Sequence, residues 1–215
     1  MKYLIVSGGY ASDEFVSETI RRGGFEVVMA ADSGLDFLYR TGIMPDVIVG
    51  DFDSVKSDAL DYFREFEHIE MCMLNPEKDD TDTEFAIREA IRRGASKITI
   101  VGGTGTRIDH VLGNICLLGI GLEENVKIVL LDEHNRIRMI DKPLVLKKEE
   151  QYGKYISLVP YSDRVTGVTL TGLKYPLTDY TMGGFNSLGI SNEIVDEEAT
   201  ISLTSGQLLV IESRD

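Results

Sequence analysis

The sequence predicts an α/β amino-terminal domain with a mostly parallel sheet, followed by a smaller carboxy-terminal all-β sandwich domain. Two observations carry this. Over the first two thirds of the 215 residues, short β-branched runs alternate with helical periodicities, the pattern of βαβ units. From about Pro143 the helical stripes stop, and runs rich in Val, Ile, Leu, Thr and Tyr are separated by Gly, Pro, Asp and Asn. That texture belongs to a small sandwich or roll. The boundary is placed within residues 142–153, giving domains of residues 1–142 and 143–215.

The elements follow in order. Residues 3–6 form an apolar run closed by Ser7-Gly8-Gly9. Residues 13–22 place Phe15, Val16, Thr19 and Ile20 on one helical face. Residues 26–31 are strand-like, and Ser33 opens a helix with Asp36 at the capping-box position. Residues 47–49 form a strand ending at Gly50-Asp51, 57–66 a helix and 70–74 a strand. Residues 81–93 form an amphipathic helix with Phe85, Ala86, Ala90 and Ile91 as its stripe, stopped by Gly94. A β-branched strand over 97–101, an apolar helix over 108–120 and strands over 126–131 and 136–140 complete the first domain. In the second, strands are expected at 155–159, 165–170, 187–190, 200–203 and 207–211.

Composition removes several functions. The chain has 22 basic and 36 acidic residues, a net charge of -14. A general nucleic-acid binder needs a basic face to displace counterions, and an anionic membrane would repel this chain. ATP remains accessible if Mg²⁺ accompanies it. Cys72 and Cys116 lie in apolar runs, and two thiols make neither a disulfide framework nor a zinc spacing. They read as reduced core cysteines of a cytoplasmic protein. The apolar amino terminus is too short for a signal peptide, and no run approaches the ~18 apolar residues of a membrane span.

In open α/β sheets, ligands bind beyond the carboxyl ends of the strands. Three strand ends here deliver carboxylates: Asp32, then Asp51 and Asp53, then Lys78-Asp79-Asp80-Thr81-Asp82. Singly, each has a plain structural explanation, since Asp and Ser favour turns and Thr81 with Glu84 matches a capping box. Together they point to Mg²⁺, which takes hard oxygen ligands. Gly102-Gly103-Thr104-Gly105-Thr106-Arg107 lies between a strand and a helix. Glycines there let backbone N–H groups approach a phosphate, and Arg107 adds a guanidinium fork. No Gly-Lys-Ser/Thr follows, so this is not a Walker A loop. His110 reads as a structural or ligand-orienting histidine. Asp51-x-Asp53 also suits a metal-dependent nucleotide-sugar transferase.

Six ordered segments together resemble the thiamine pyrophosphokinase family in its shorter bacterial form. They are Ala31-Asp32-Ser33-Gly34, Pro45-Asp46 through Gly50-Asp51-Phe52-Asp53-Ser54, Lys78 to Asp82, Gly102-Gly103-x-Gly105-x-Arg107-x-Asp109-His110, Thr171-Gly172-Leu173-Lys174-Tyr175-Pro176-Leu177 and Ser191-Asn192-Glu193. The resemblance implies an α/β domain for Mg-ATP, a β-sandwich for thiamine, and a homodimer with active sites between subunits. The implied reaction moves the pyrophosphoryl group of ATP to the thiamine hydroxyl and leaves AMP. Asp51, Asp53 and Asp82 would hold Mg²⁺, with Asp32 supporting them. Gly102, Gly103, Arg107 and Asp109 would frame the nucleotide. Ser191 and Asn192 would contact thiamine, and Tyr175 would lie against its rings. Asp53, Asp82 and Arg107 are the candidate catalytic residues; either Asp53 or Asp82 could accept the hydroxyl proton. Tyr175 stands where related eukaryotic enzymes carry Trp, and Ser33 where many relatives carry Gly.

Overall fold

The computed structural model describes residues 1–51, 57–74, 80–105 and 107–215. The chain divides into two compact units, Met1–Glu133 and His134–Asp215.

In the first unit, strands β1 (Lys2–Val6), β2 (Val27–Ala31), β3 (Val47–Gly50), β4 (Glu70–Met73), β5 (Lys97–Val101) and β6 (Lys127–Leu131) pair in parallel in the order β6-β5-β1-β2-β3-β4. Helices α1 (Asp13–Gly23), α2 (Gly34–Thr41), α3 (Ser57–Arg64), α4 (Asp82–Arg92) and α5 (Ile108–Glu124) make the crossovers. Leu4, Ile5, Val6, Ile48, Ile98 and Ile100 are all fully buried. Strands covered on both faces explain the unbroken apolar runs of the sequence. The chain moves outward from β1 to β4, then returns to the other side of β1 for β5. The strand order therefore reverses between β1 and β5, which is where an α/β sheet opens a ligand crevice.

Local signals explain most helix ends. Ser12 caps α1 by accepting from the Phe15 N–H at 3.2 Å, and Gly24 closes it in the left-handed region at φ 58°. The expected Ser33–Asp36 capping box does not form. Ser33 is helical at φ -64°, and its side chain makes no cap bond; its hydroxyl donates to Asp32 instead. Helix α5 extends beyond residue 120 to Glu124, where Asn125 ends it at φ 54°. The cysteines are not core residues: Cys72, on the edge strand β4, is half-buried, and Cys116 is exposed because α5 leaves part of its apolar surface uncovered, Ile108 and Leu112 included.

The second unit holds β7 (Asn135–Ile140), β8 (Leu144–Lys147), β9 (Tyr155–Pro160), β10 (Arg164–Thr171), β11 (Leu177–Gly183), β12 (Asn192–Glu193), β13 (Glu198–Ser202) and β14 (Leu208–Ser213). They pair antiparallel in two sets, β12-β9-β14-β7 and β11-β10-β13-β8. Ile156, Leu158 and Val210 of the first set share one core with Leu146, Val168 and Ile201 of the second. This is the expected sandwich, with differences in its parts. Residues 187–190 form a turn rather than a strand, and β8, β11 and the short β12 lie outside the strands expected from the sequence. Strand β7, read with the first domain, falls in the second unit because it pairs with β14 along its whole length, from Asn135 with Ser213 to Ile140 with Leu208. Glu212 of β14 reinforces that pairing. It is fully buried and accepts from Arg136 Nε at 2.7 Å, from Arg138 Nη2, and from the Tyr152 N–H at 3.1 Å.

Candidate active site

At the reversal point the loop after β1 meets the loop after β5. The Ser7 N–H donates to Val101 O at 2.8 Å, and the Gly9 N–H to Gly102 O at 2.7 Å. The two backbones are so close that a Cβ on Gly9 would lie 2.4 Å from Gly102 O. Gly102 has φ +67°, and a Cβ there would lie 2.2 Å from Ser7 O. Only glycine tolerates both the conformation and the approach. The glycines thus dock one loop on the other, a role the spacing alone did not distinguish from phosphate cradling. Asn114 of α5 holds this loop by donating from Nδ2 to Gly103 O at 2.7 Å.

These loops border a cleft of about 440 Å³ that also receives Asp32, Asp51, Asp82 and Arg107. Asp32 follows β2 in the left-handed region at φ 50°, with its N–H donating to Val49 O at 2.9 Å. A non-glycine residue there carries about 1 kcal/mol or more of local strain, which clusters at functional sites. Asp51 follows β3. Asp82 opens α4, whose N-cap Thr81 accepts from the Glu84 N–H at 3.2 Å. The Glu84 carboxylate pairs with Arg88 at 3.0 Å from Nε, so the expected capping bond from Thr81 is made while Glu84 turns to its own helix face.

All three aspartates are half-buried, and they offer carboxylate oxygens within 4.8 Å of one another. Like charges at that spacing repel by ~1 kcal/mol or more per pair at the dielectric of a partly wet site. A bound cation removes this cost. The donor set is all carboxylate oxygen, which fits Mg²⁺ rather than a softer metal. Asp53, Lys78, Asp79 and Thr106 lie outside the described residues. A second acidic group, Glu70 with Cys72 and Glu89, is already balanced by cations. Arg93 donates to Glu70 at 2.8 Å from Nη1 and to Glu89 at 2.7 Å from Nε. The hydrogen bond from Arg92, helped by Arg93, holds the Glu89 carboxyl down to about 2 against its burial.

Arg107 precedes α5 and forms a two-pronged pair with Asp109, 3.1 Å from Nε to Oδ1. This hydrogen bonding, supported by the His110 N–H, lowers the Asp109 carboxyl to about 2. Both side chains are exposed, and Arg107 and His110 line the cleft. Ser7 and Thr83 also line it, and their hydroxyls hydrogen-bond at 2.9 Å, tying the central strand to the start of α4. The sequence reading missed this pair, together with Asn114, because Ser, Thr and Asn beside strands and helices usually serve local turns and caps. Only the strand-end position of Ser7 could have pointed to it.

The second unit gathers the other expected residues. Asn192 is buried, and its side chain accepts from the Tyr175 N–H at 3.0 Å and donates to Tyr175 O at 2.8 Å. Ser191 sits at φ 60°, with its N–H donating to Ser157 Oγ at 3.0 Å. Tyr175 is exposed, with the Lys174 ammonium 5.5 Å from its ring centroid.

A family model described as Thiamin pyrophosphokinase, catalytic domain, matches residues 24–130. One described as Thiamin pyrophosphokinase, vitamin B1 binding domain, matches residues 143–208. The chain is 36% identical to a thiamine pyrophosphokinase of Bacillus subtilis over 192 residues, 87% of each chain. Its fold is similar to the crystal structure of a Bacillus subtilis thiamine pyrophosphokinase, with a TM-score of 0.89, 33% identity and 100% of both chains covered. It is similar too to a thiamin pyrophosphokinase structure from Geobacillus thermodenitrificans, with a TM-score of 0.86, 31% identity, and 100% and 98% covered.

Proposed function

The chain belongs to the thiamin pyrophosphokinase family, and from that membership we infer that it transfers the pyrophosphoryl group of ATP to the hydroxyl of thiamine, giving thiamine diphosphate and AMP. The observation that carries this to a place in the molecule is the meeting of Asp32, Asp51 and Asp82 in one cleft. We propose that residues 1–142 bind the nucleotide and metal, and that residues 143–215 bind thiamine.

In this reading Asp51, Asp53 and Asp82 hold Mg²⁺, and Asp32 supports the cluster. The ion, when bound, supplies positive charge against the phosphate oxygens. Transfers of this type depend mainly on positioning and charge stabilisation. Arg107, on the cleft wall, presents its guanidinium to charge developing on the AMP leaving group, and Asp109 orients it. Gly102 and Gly103 keep the loop close enough for the nucleotide to lie against backbone. The thiamine hydroxyl loses its proton to a carboxylate, Asp53 or Asp82. Tyr175 offers an aromatic face to the cationic thiazolium, beside Ser191 and Asn192. The match of the vitamin B1 binding model to residues 143–208 supports this placement.

The test is AMP formation from ATP with Mg²⁺, with and without thiamine, alongside thiamine diphosphate detected by mass. Thiamine-dependent AMP equal in amount to thiamine diphosphate is expected. AMP formed without thiamine, or none from folded protein, overturns the reading.

The partner we propose is a second copy of this chain. Phe185 is wholly exposed, with Leu188 and Ile190 about half exposed close by in sequence, and such an apolar group is commonly covered by another protein surface. Sedimentation at twice the 23.9 kDa chain mass is expected; a monomer mass at micromolar concentration rejects the dimer. The net charge of -14 supports the absence of a nucleic-acid partner. Among the described residues no helix is long and apolar enough to cross a membrane. A cytoplasmic location agrees with the unbridged Cys72 and the exposed Cys116, thiols that a reducing compartment preserves.

A further inference from the structure

We propose that Asn192 is a positioning residue that acts on thiamine through Tyr175, without touching the substrate itself. The proposal rests on the reading that Tyr175 meets thiamine, and it goes further by assigning what makes Tyr175 fit to do so.

Asn192 is only 6% exposed. Its Oδ1 accepts from the Tyr175 N–H at 3.0 Å and from the Glu193 N–H at 2.9 Å, and its Nδ2 donates to Tyr175 O at 2.8 Å. An amide oxygen has two lone pairs, so the acceptor capacity is full, and one N–H remains. Such a side chain has little left to offer a ligand. What it does is hold both backbone groups of Tyr175.

Other contacts extend the clamp. The Lys174 N–H donates to Glu193 O at 2.9 Å, and Lys174 Nζ to Glu193 Oε1 at 3.0 Å. Buried Leu173 and Ile194 form a bridge one step further in. Tyr175 itself lies between β10 and β11, outside any strand, and is 59% exposed. Its ring is thus offered to solvent from a backbone held on both its N–H and its C=O. The unit exposes other aromatics, Tyr161, Tyr180 and Phe185. In Tyr175 the N–H and the C=O are both taken by one buried side chain, that of Asn192. An aromatic ordered before binding loses less conformational freedom on binding, and a site held by a locked supporting residue keeps its geometry. Asparagine suits the task because it donates and accepts from one planar group: aspartate cannot donate, and serine is too short to span both Tyr175 groups.

The test is a double-mutant cycle of Asn192→Ala and Tyr175→Ala, with kcat and both KM values measured at saturating co-substrate. Each single change is expected to raise the thiamine KM by ~10-fold or more, a loss typical of a preorganised contact. The ATP KM should stay within ~2-fold, and the double variant within ~3-fold of the worse single, because coupled residues are not additive. A purely structural defect would lower kcat while leaving both KM values in place. Multiplicative effects would show that Asn192 acts on thiamine independently, and overturn the proposal; so would an unchanged thiamine KM in Asn192→Ala. An unchanged thiamine KM in Tyr175→Ala, which leaves Asn192 in place, would instead remove Tyr175 from the thiamine site. Should Asn192→Ala not fold, Asn192→Asp keeps both accepted bonds and loses the donated one. Its thiamine KM is expected to be raised, and a wild-type value rejects the proposal.

Discussion

Asp82→Asn is expected to lower turnover by at least ~10²-fold, since in the proposed reading the change removes a metal-ligating charge that acts at the phosphates. That loss corresponds to ~2.7 kcal/mol of transition-state stabilisation. Asp82 is also the first residue of α4, where a carboxylate interacts with the helix dipole. That second role is worth only ~0.3–1 kcal/mol, too little to mimic the first. Thr81 still caps the helix in the variant, so the melting temperature is expected to hold. Mn²⁺ binding, followed by electron paramagnetic resonance on the free protein, should weaken in parallel with turnover. Turnover close to wild type with unaltered Mg²⁺ dependence would defeat the assignment of Asp82 to the metal.

Glu212→Ala is expected to destabilise the protein by about 3–5 kcal/mol, the range for breaking a buried ion pair by removing one partner. Arg136 is a quarter exposed and Arg138 a fifth, against none of Glu212. Both cations and the Tyr152 N–H would lose this carboxylate together, leaving Arg136 its bond to Glu150 O at 2.9 Å. Urea unfolding followed by circular dichroism measures the shift of the midpoint. A loss below ~1 kcal/mol, the scale of an exposed pair, would show that solvent replaces the carboxylate and that Glu212 does not secure β7 to β14.

Much of the first unit was legible because its signals are local. The run Leu4-Ile5-Val6 is apolar enough to be buried, Thr81 and Glu84 announce a helix start, and Gly94 ends that helix with a positive φ of 86°. The alternation of strands and helices implies a parallel sheet whose strands end on one edge, which is why aspartates far apart in sequence group together from the sequence alone. The errors have the same origin. Residues 187–190 look strand-like by composition, yet they turn, with the Ile190 N–H donating to Ser187 O. Cys116 sits in an apolar stretch, and α5 is apolar enough to suggest full burial, but Ile108, Leu112 and Cys116 stay exposed. Strand β7 carries the residues of any strand; its partner β14 lies at the far end of the sequence.

The α/β-then-β order, the strand ends that carry Asp32 and Asp51, the helix start that carries Asp82, and the family to which these segments point are all legible along the chain. Those follow from periodicity, turn chemistry and short motifs, each read within a few residues. Packing alone reveals that Gly9 and Gly102 dock two loops, that Ser7 reaches Thr83, that Glu212 is buried, and that Asn192 spends its amide on Tyr175. Each of these depends on a neighbour distant along the chain. Burial and close approach belong to pairs of residues, and no single position in a sequence states its partner.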